Sequence, residues 1–271
     1  MLHKVLSIAG FDSSGGAGLQ ADLKTFSAFG CYGMTILTAL PIQNTCGVTN
    51  CYSIPIRAIS EQLEAIFGDI TPDAIKIGML FNSEVITLVA DFLAIRAKNI
   101  PIVLDPVMVA KSGDNLLLPE SVAILKKRLI PHVSLITPNI AEAEVLSGIK
   151  IKTEDDMLIA GMAILNLGAK ALLVKGGHLM GNYANDLLLT HEYHEWLSAP
   201  RIITKNTHGT GCTLSAAIAS SLALGLNLTE SCKLAKSYLT KALQAFQHES
   251  IGHGHGPVHH FYHLWPTLDK I

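Results

Sequence analysis

The chain has 271 residues, of which 49% are hydrophobic and 15% charged, with a formal net charge of −2. This composition excludes an extended or disordered chain, and the near-neutral charge excludes a protein held to nucleic acid by electrostatics. No apolar run approaches the roughly 20 residues of a membrane span. The start, Met1-Leu2-His3-Lys4-Val5, leads into a strand pattern without a signal-peptide hydrophobic region, so a cytoplasmic location and no membrane partner are expected. Cys31, Cys46, Cys51, Cys212 and Cys232 form no C-x-x-C pair. An odd number at irregular spacing suits free thiols better than disulfides or zinc.

Val5–Ala9 reads as a buried strand that ends in the glycine-rich loop Gly10–Gly18, after which Leu19, Leu23 and Phe26 recur at helical spacing. Ligands of open α/β sheets bind at the carboxyl ends of strands, so the small residues Gly10 and Ala17 would leave room for one against backbone. Asp12, Asp22 and Lys24 are candidate polar contacts, or Asp12 simply caps the following helix. Met34–Leu40 reads as a second strand leading into Pro41–Thr45. There Gln43 offers a donor and an acceptor on one planar amide, suited to the edge of a heteroaromatic ring, or is simply an exposed loop residue. A helix is predicted across Ile59–Phe67, a strand over Ala74–Leu80 and a helix over Glu84–Ala97. Ile102–Met108 reads as a buried strand carrying Asp105. A buried carboxylate is costly unless it is paired or works, so Asp105 is a candidate for a Mg²⁺ shell or a structural role.

A loop at Lys111–Asp114, a helix over Ser121–Leu129 and a strand over Val133–Thr137 follow. Asn139 and Glu142 then fall three apart in the first turn of a helix. They read as a cap with its partner, or as a place for solvated Mg²⁺ near phosphates. Asp155–Leu167 is helical, and the strand Ala171–Val174 delivers Lys175-Gly176-Gly177-His178 to its end, where a lysine beside two glycines suits a nucleotide phosphate. Asp186–Thr190 and Glu192–Leu197 read as a hairpin around His191, Ile202–Thr204 as the last strand, and Thr229–Gln247 as a long helix carrying Lys236. The histidine-rich tail Gly252–Phe261 fits no zinc-finger spacing and reads as an ordered surface loop. Strands alternate with helices without linker or repeat, the pattern of one α/β domain over residues 1–271 with a mostly parallel sheet.

The chain is organised around Thr204–Thr213, whose Gly209-Thr210-Gly211-Cys212 precedes an alanine- and leucine-rich helix that stops at Gly225. Glycines at a helix start let successive N–H groups converge, and the helix end adds unpaired donors and partial positive charge; the stretch reads as an anion site, or as a glycine-rich helix start that binds nothing. Cys212 falls in the first turn, where the helix end should ease its ionisation and a bound phosphate would oppose it. A dinucleotide fingerprint is excluded because Leu214 stands where its third glycine belongs, and no G-x-x-x-x-G-K-[ST] occurs.

Several stretches together resemble the bacterial hydroxymethylpyrimidine/phosphomethylpyrimidine kinase family of the thiamine pathway. They are Ala9–Thr25, Gln43–Thr45, Lys76–Leu80, Asp105–Met108, Thr137–Asn139, Lys175–His178, Thr207–Cys212 and Gly256–Phe261, in that order. The resemblance implies the ribokinase-like fold, a central and largely parallel sheet between helices. It implies ATP- and Mg²⁺-dependent phosphorylation of the pyrimidine's hydroxymethyl group and then of the monophosphate, with dimers common among relatives. Cys212 would act as base where many ribokinase relatives carry Asp, with Gly209, Thr210 and Gly211 forming the catalytic cradle. Gln43 would read the pyrimidine edge among Gly10, Asp12, Ala17, Asp22, Met79 and Val107. Asn139, Lys175, Gly176, Thr207 and Lys236 would attend the nucleotide, and Asp105 and Glu142 the metal. A pyridoxal kinase of the same superfamily and a non-catalytic ligand sensor are the rival readings.

Overall fold

Alternate residues of the central strands face opposite helix layers, and each face is apolar in its own right. The computed structural model describes residues 2–108, 119–177 and 179–265, so the loop expected at Lys111–Asp114 and His178 lie outside the described residues. The first half contains β1 (Lys4–Ala9), α1 (Gly18–Ala28), β2 (Tyr32–Leu37), β3 (Ala39–Asn44), β4 (Gly47–Ser53), α2 (Ile56–Asp69), β5 (Ala74–Ile77), α3 (Ser83–Arg96) and β6 (Ile102–Leu104). The second contains α4 (Pro119–Ile124), β7 (Leu135–Ile136), α5 (Ile140–Ser147), α6 (Glu154–Leu165), β8 (Ala171–Val174), β9 (Tyr183–Thr190), β10 (His194–Pro200), α7 (Thr210–Ala223) and α8 (Leu228–Ala245).

Eight strands form one sheet in the order β10-β9-β8-β7-β6-β5-β1-β2. The pairs from β8 to β2 are parallel, while β9 is antiparallel to both β8 and β10. Leu6, Ile8, Ile75, Ile77, Ile102 and Leu104 pack against α2, α3, α5 and α6. Val5, Ala74, Val103, Leu135 and Leu173 pack against α1, α7 and α8. The chain runs from β1 to β2 on one side and returns through β5 on the other. The crevice for a ligand therefore opens between β1 and β5, where strand order reverses.

Two expected strands are corrected. Met34–Leu40 is not continuous, because Thr38 breaks it by donating from Oγ1 to the Met79 carbonyl at 2.6 Å. Beyond that break β3 leaves the main sheet and pairs only with β4, which the sequence reading passed over. Gln43 therefore sits on a strand, at a bulge between Ile42 and Gln43. Ile202–Thr204 forms no strand either: β10 ends at Pro200, and Ile203 projects outward, 83% exposed. Strands β5, β6 and β7 also stop short of their expected ends, leaving Gly78–Leu80, Asp105–Met108 and Thr137 as loop residues around the crevice.

Helix starts explain where a ligand can bind. Asn82, Asn139, Thr153 and Asn227 cap α3, α5, α6 and α8 through side-chain oxygens that accept first-turn N–H groups. Helix α7 begins instead at Gly209, which has φ 75° and no capping side chain. An L side chain there would be strained, and a Cβ would lie 1.8 Å from the Gly16 carbonyl oxygen. The two glycine-rich loops therefore meet backbone to backbone.

Candidate active site

A cavity of about 700 Å³ lies at the carboxyl ends of the parallel strands. Gly10, Ala17, Gln43, Met79 and Val107 line one end of it, and Gly209, Thr210, Gly211 and Cys212 the middle. The other end is apolar, with Ala199, Pro200, Ile202, Leu239 and Leu243.

Among the described residues, the N–H groups of Gly211 and Cys212 bond no acceptor, and that of Thr210 reaches Thr207 O only at 3.4 Å. Uncapped donors at the start of a 14-residue helix, facing a cavity, have the geometry that an anion site requires. A Cβ on Gly211 would lie 3.0 Å from Asp105 Oδ2 and 3.1 Å from Lys175 Nζ, so the glycine keeps the cradle open toward that pair.

The charged wall is built at strand ends. Lys175, after β8, donates from Nζ to Asp105 Oδ1 at 2.8 Å. Burial works against the Lys175 charge, but Asp105 and Glu142 together raise its pKa. Asn139 and Glu142 form a reciprocal capping box: Asn139 N–H donates to Glu142 Oε2 at 2.8 Å, and Glu142 N–H to Asn139 Oδ1 at 3.0 Å. Burial pushes the Glu142 carboxyl up to about 7; Lys175 opposes this and Asp105 adds to it. A cation between the Asp105 and Glu142 carboxylates would relieve both burial and repulsion. Among the described residues no three His, Cys, Asp or Glu side chains gather to hold a metal. Mg²⁺ on nucleotide phosphates needs only one or two carboxylates plus water, so this donor pair fits it.

Cys212 departs from expectation. Helix-end proximity was expected to ease its ionisation, yet burial dominates and pushes the thiol up to about 11. Lys76 and the Gly18 N–H act in the opposite direction, and Asp22 and Asp105 reinforce the rise. At neutral pH the resting side chain is a thiol.

Four residues placed around the ligand by sequence do not line the cavity: Asp12, Asp22, Lys24 and Gly176. Asp12 is fully buried and shapes its own loop, accepting N–H groups from Ser14, Gly16 and Ala17 and pairing with His208 Nε2 at 2.8 Å. Asp22 lies beneath the floor, where Ser7 Oγ donates to its Oδ2 at 2.5 Å and Lys76 Nζ at 2.8 Å. Gly176 turns its N–H to Asp186 Oδ1 at 3.0 Å. Lys24 donates to Gly15 O at 2.6 Å, spending its charge on the loop. Lys236 and Thr207 do line the cavity, with Lys236 bound to Asp186 Oδ2 at 2.7 Å.

Sequence reasoning gave no role to Lys76, His208, Asp186 or Arg201. A lysine inside the apolar strand Ala74–Ile77 was the available signal, since a buried cation demands a partner. Arg201 donates to the carbonyls of Gly177, Leu179, Gly181 and Tyr183, bracing the turn before β9; nothing local in the sequence announces that.

A mostly parallel sheet between helix layers, with an uncapped glycine-rich helix start facing the cavity, defines a ribokinase-like phosphotransferase acting on a small molecule. The chain belongs to the phosphomethylpyrimidine kinase family, whose profile matches residues 12–259. It is 49% identical over 261 residues to the hydroxymethylpyrimidine/phosphomethylpyrimidine kinase of Escherichia coli (strain K12), covering 96% of this chain and 98% of that one. Among solved structures, the phosphomethylpyrimidine kinase of Clostridium difficile 630 superposes with a TM-score of 0.79 at 48% identity, over 89% of this chain and 99% of that one. The pyridoxal kinase of Staphylococcus aureus in complex with AMP-PCP and pyridoxal gives 0.88 at 34% identity, over 97% and 96% of the two chains.

Proposed function

We propose that this chain transfers the γ-phosphoryl group of ATP to the hydroxymethyl oxygen of 4-amino-5-hydroxymethyl-2-methylpyrimidine, and then phosphorylates the monophosphate to the diphosphate. The observation that carries this reading is the pair of unbonded amides, Gly211 and Cys212, set between a ring-sized end with Gln43 and Met79 and an apolar end suited to adenine. Phosphoryl transfer through a loose transition state is mostly positioning and charge stabilisation. The two amides would receive the equatorial oxygens, and Lys175 would spread the charge developing beside them. Thr207 and Asn139 are the nucleotide-side polar groups, and Lys236, bound to Asp186, braces that wall. When bound, Mg²⁺ would neutralise phosphate charge, with Asp105 and Glu142 as its protein ligands.

Gln43 donates from Nε2 to Phe11 O at 3.3 Å, which leaves its amide oxygen and a second N–H for the ring edge. Cys212 lies where it can receive the hydroxyl proton late in the transfer, and it does so from its thiolate. That species is minor at neutral pH, and its high basicity offsets the scarcity only in part, because a general base works best with a pKa near the operating pH. No described helix is long and apolar enough to cross a membrane. A cytoplasmic homodimer is the proposed working form.

Mass spectrometry of products from purified protein, ATP, Mg²⁺ and the hydroxymethylpyrimidine tests the reading. Mono- and diphosphate should appear in succession, and absence of both sinks it. Likeness to the pyridoxal kinase fold favours a second reading, phosphorylation of pyridoxal, and a parallel assay ranks the two acceptors by kcat/KM.

A further inference from the structure

The hairpin β3–β4 carries Gln43 into the cavity, yet it hydrogen-bonds to no strand of the main sheet. An isolated two-stranded hairpin is marginal in water, so something else must fix the depth at which Gln43 stands. At its base Phe11 N–H donates to Ala39 O at 3.0 Å, and Ser13 Oγ reaches Gln43 O at 3.2 Å. The hairpin's turn, at Thr45, is held by the histidine-rich tail. Gly254 N–H donates to Thr45 Oγ1 at 3.2 Å and His255 N–H to Thr45 O at 2.8 Å.

The same short tail segment grips the loop that leads into the anion cradle. His255 Nδ1 lies 3.3 Å from Lys205 O, and His208 N–H donates to Gly256 O at 3.0 Å, one residue before Gly209. Buried Asn206 donates to Phe246 O at 2.5 Å and to Glu249 O at 2.8 Å, anchoring the upstream end of the tail. Fit is tight at both attachments. A Cβ on Gly254 would lie 2.0 Å from Thr45 O, and one on Gly256 would lie 2.1 Å from Asn206 Oδ1. Only glycine lets this backbone pass between hairpin and loop.

We infer that residues 252–257 form a strap that sets Gln43 at a fixed distance from the Gly209–Cys212 cradle, with Thr45 as the positioning residue through which it acts. The inference rests on the reading of Gln43 as the group that meets the acceptor ring. The strap has no contact of its own with the cavity; its effect is to hold the acceptor hydroxyl in line with the phosphoryl group. Near-attack geometry is sensitive to such placement.

The test uses the full-length protein and Gly254→Ala, whose methyl would push the Thr45 carbonyl away, with Thr45→Val and Thr45→Ser as a milder pair. Loss of about one hydrogen bond's worth of restraint corresponds to roughly a fivefold effect. Gly254→Ala should raise KM for the hydroxymethylpyrimidine at least about fivefold while KM for ATP stays within about twofold. Thr45→Val should do the same more weakly, and Thr45→Ser should restore wild-type behaviour because it keeps the accepting oxygen. Amide exchange across residues 43–48 should quicken in Gly254→Ala and not elsewhere in the sheet. Unchanged kinetics and exchange overturn the strap, as do KM values for both substrates rising together with a fall in Tm. If wild-type protein phosphorylates no pyrimidine, the functional reading fails by itself, and the exchange experiment still decides whether the tail restrains the hairpin.

Discussion

Replacing one partner of the Asp22–Lys76 pair should cost more stability than replacing both. Lys76 on β5 and Ser7 on β1 are registered neighbours on the face that meets α1 and α7, and Asp22 of α1 descends between them. Both charged side chains are 0% exposed, and Asp22 Oδ1 has no hydrogen-bond partner among the described residues. Burial pushes the Asp22 carboxyl up, and Lys76 opposes it; burial also works against the Lys76 charge, but Asp22, Cys212 and Asp105 hold the ammonium above its usual value. Asp22→Asn leaves a buried cation without its counter-ion, and Lys76→Met leaves a buried anion with only Ser7. Breaking such a pair typically costs about 3–5 kcal/mol, whereas replacing both members by neutral groups is often nearly free. At about 2–4 °C per kcal/mol for a chain near this size, each single variant should lose roughly 6–20 °C in Tm. The double variant Asp22→Asn/Lys76→Met should recover most of that loss. Thermal unfolding followed by circular dichroism measures all three. Additive losses, with the double variant worse than either single one, would refute the pairing energetics. The two single variants should also move Cys212 in opposite senses, because Lys76 favours its thiolate and Asp22 disfavours it. Iodoacetamide should therefore label Cys212 faster in Asp22→Asn and slower in Lys76→Met at equal pH, and labelling that accelerates in both would indicate simple loosening.

Four further outcomes can be checked. Gly211→Ala should gain up to about 1 kcal/mol of helix propensity, offset by the shift its methyl forces on Asp105 or Lys175, so its Tm should stay close to wild type. Its methyl, close to Asp105 and Lys175, should nonetheless lower kcat by roughly tenfold or more, and a wild-type kcat would remove the cradle from its assigned role. Cys212→Ala should lose about 10²–10⁴ in kcat with substrate KM little changed. In wild type the alkylation rate of Cys212 should climb about tenfold per pH unit until its pKa near 11, and a plateau near pH 8 contradicts a thiol held up by burial. The Asp12 carboxyl is raised by burial but lowered more by His208, Ser14 and the Ala17 N–H, to about 2 from an ordinary 3.8. Its charge therefore contributes about 2 kcal/mol above pH 4, which is lost as pH falls toward 2 because the unfolded chain takes the proton first. Asp12→Asn should flatten acid unfolding across that window in a pH-dependent melt.

The position of the cradle was legible because it is local: glycines immediately before an alanine-rich run mark a helix start, whereas its lack of a side-chain cap is visible only in the structure. Strands β1 and β8 were legible for a similar reason, as short apolar runs stopped by glycine or lysine. The break at Thr38 was not. The apolar run from Met34 to Leu40 carries no mark of it, and its cause is a carbonyl at Met79, on a different strand's exit loop. Ile202-Ile203-Thr204 reads as a strand on β-branched propensity alone, but β10 has already formed the sheet edge and the chain there turns outward. The ionisation of Cys212 was misjudged because helix-end charge can be read from sequence and burial cannot. Asp22 reads as a ligand contact because it closely follows the glycine-rich loop; its partner Lys76 comes from a distant strand, and only tertiary packing brings the two together.

Because β3–β4 stands off the main sheet, Gln43, the group proposed to meet the acceptor ring, shares no ladder with the strands whose ends carry Lys175 and Asp105, although Met79 and Val107 beside it do follow main-sheet strands. Substitutions along the hairpin leave the eight-stranded ladder and both apolar layers intact. On the proposed role of Gln43, a change on the hairpin can alter the fit of the acceptor while the strand ends that carry Lys175 and Asp105 stay as they are.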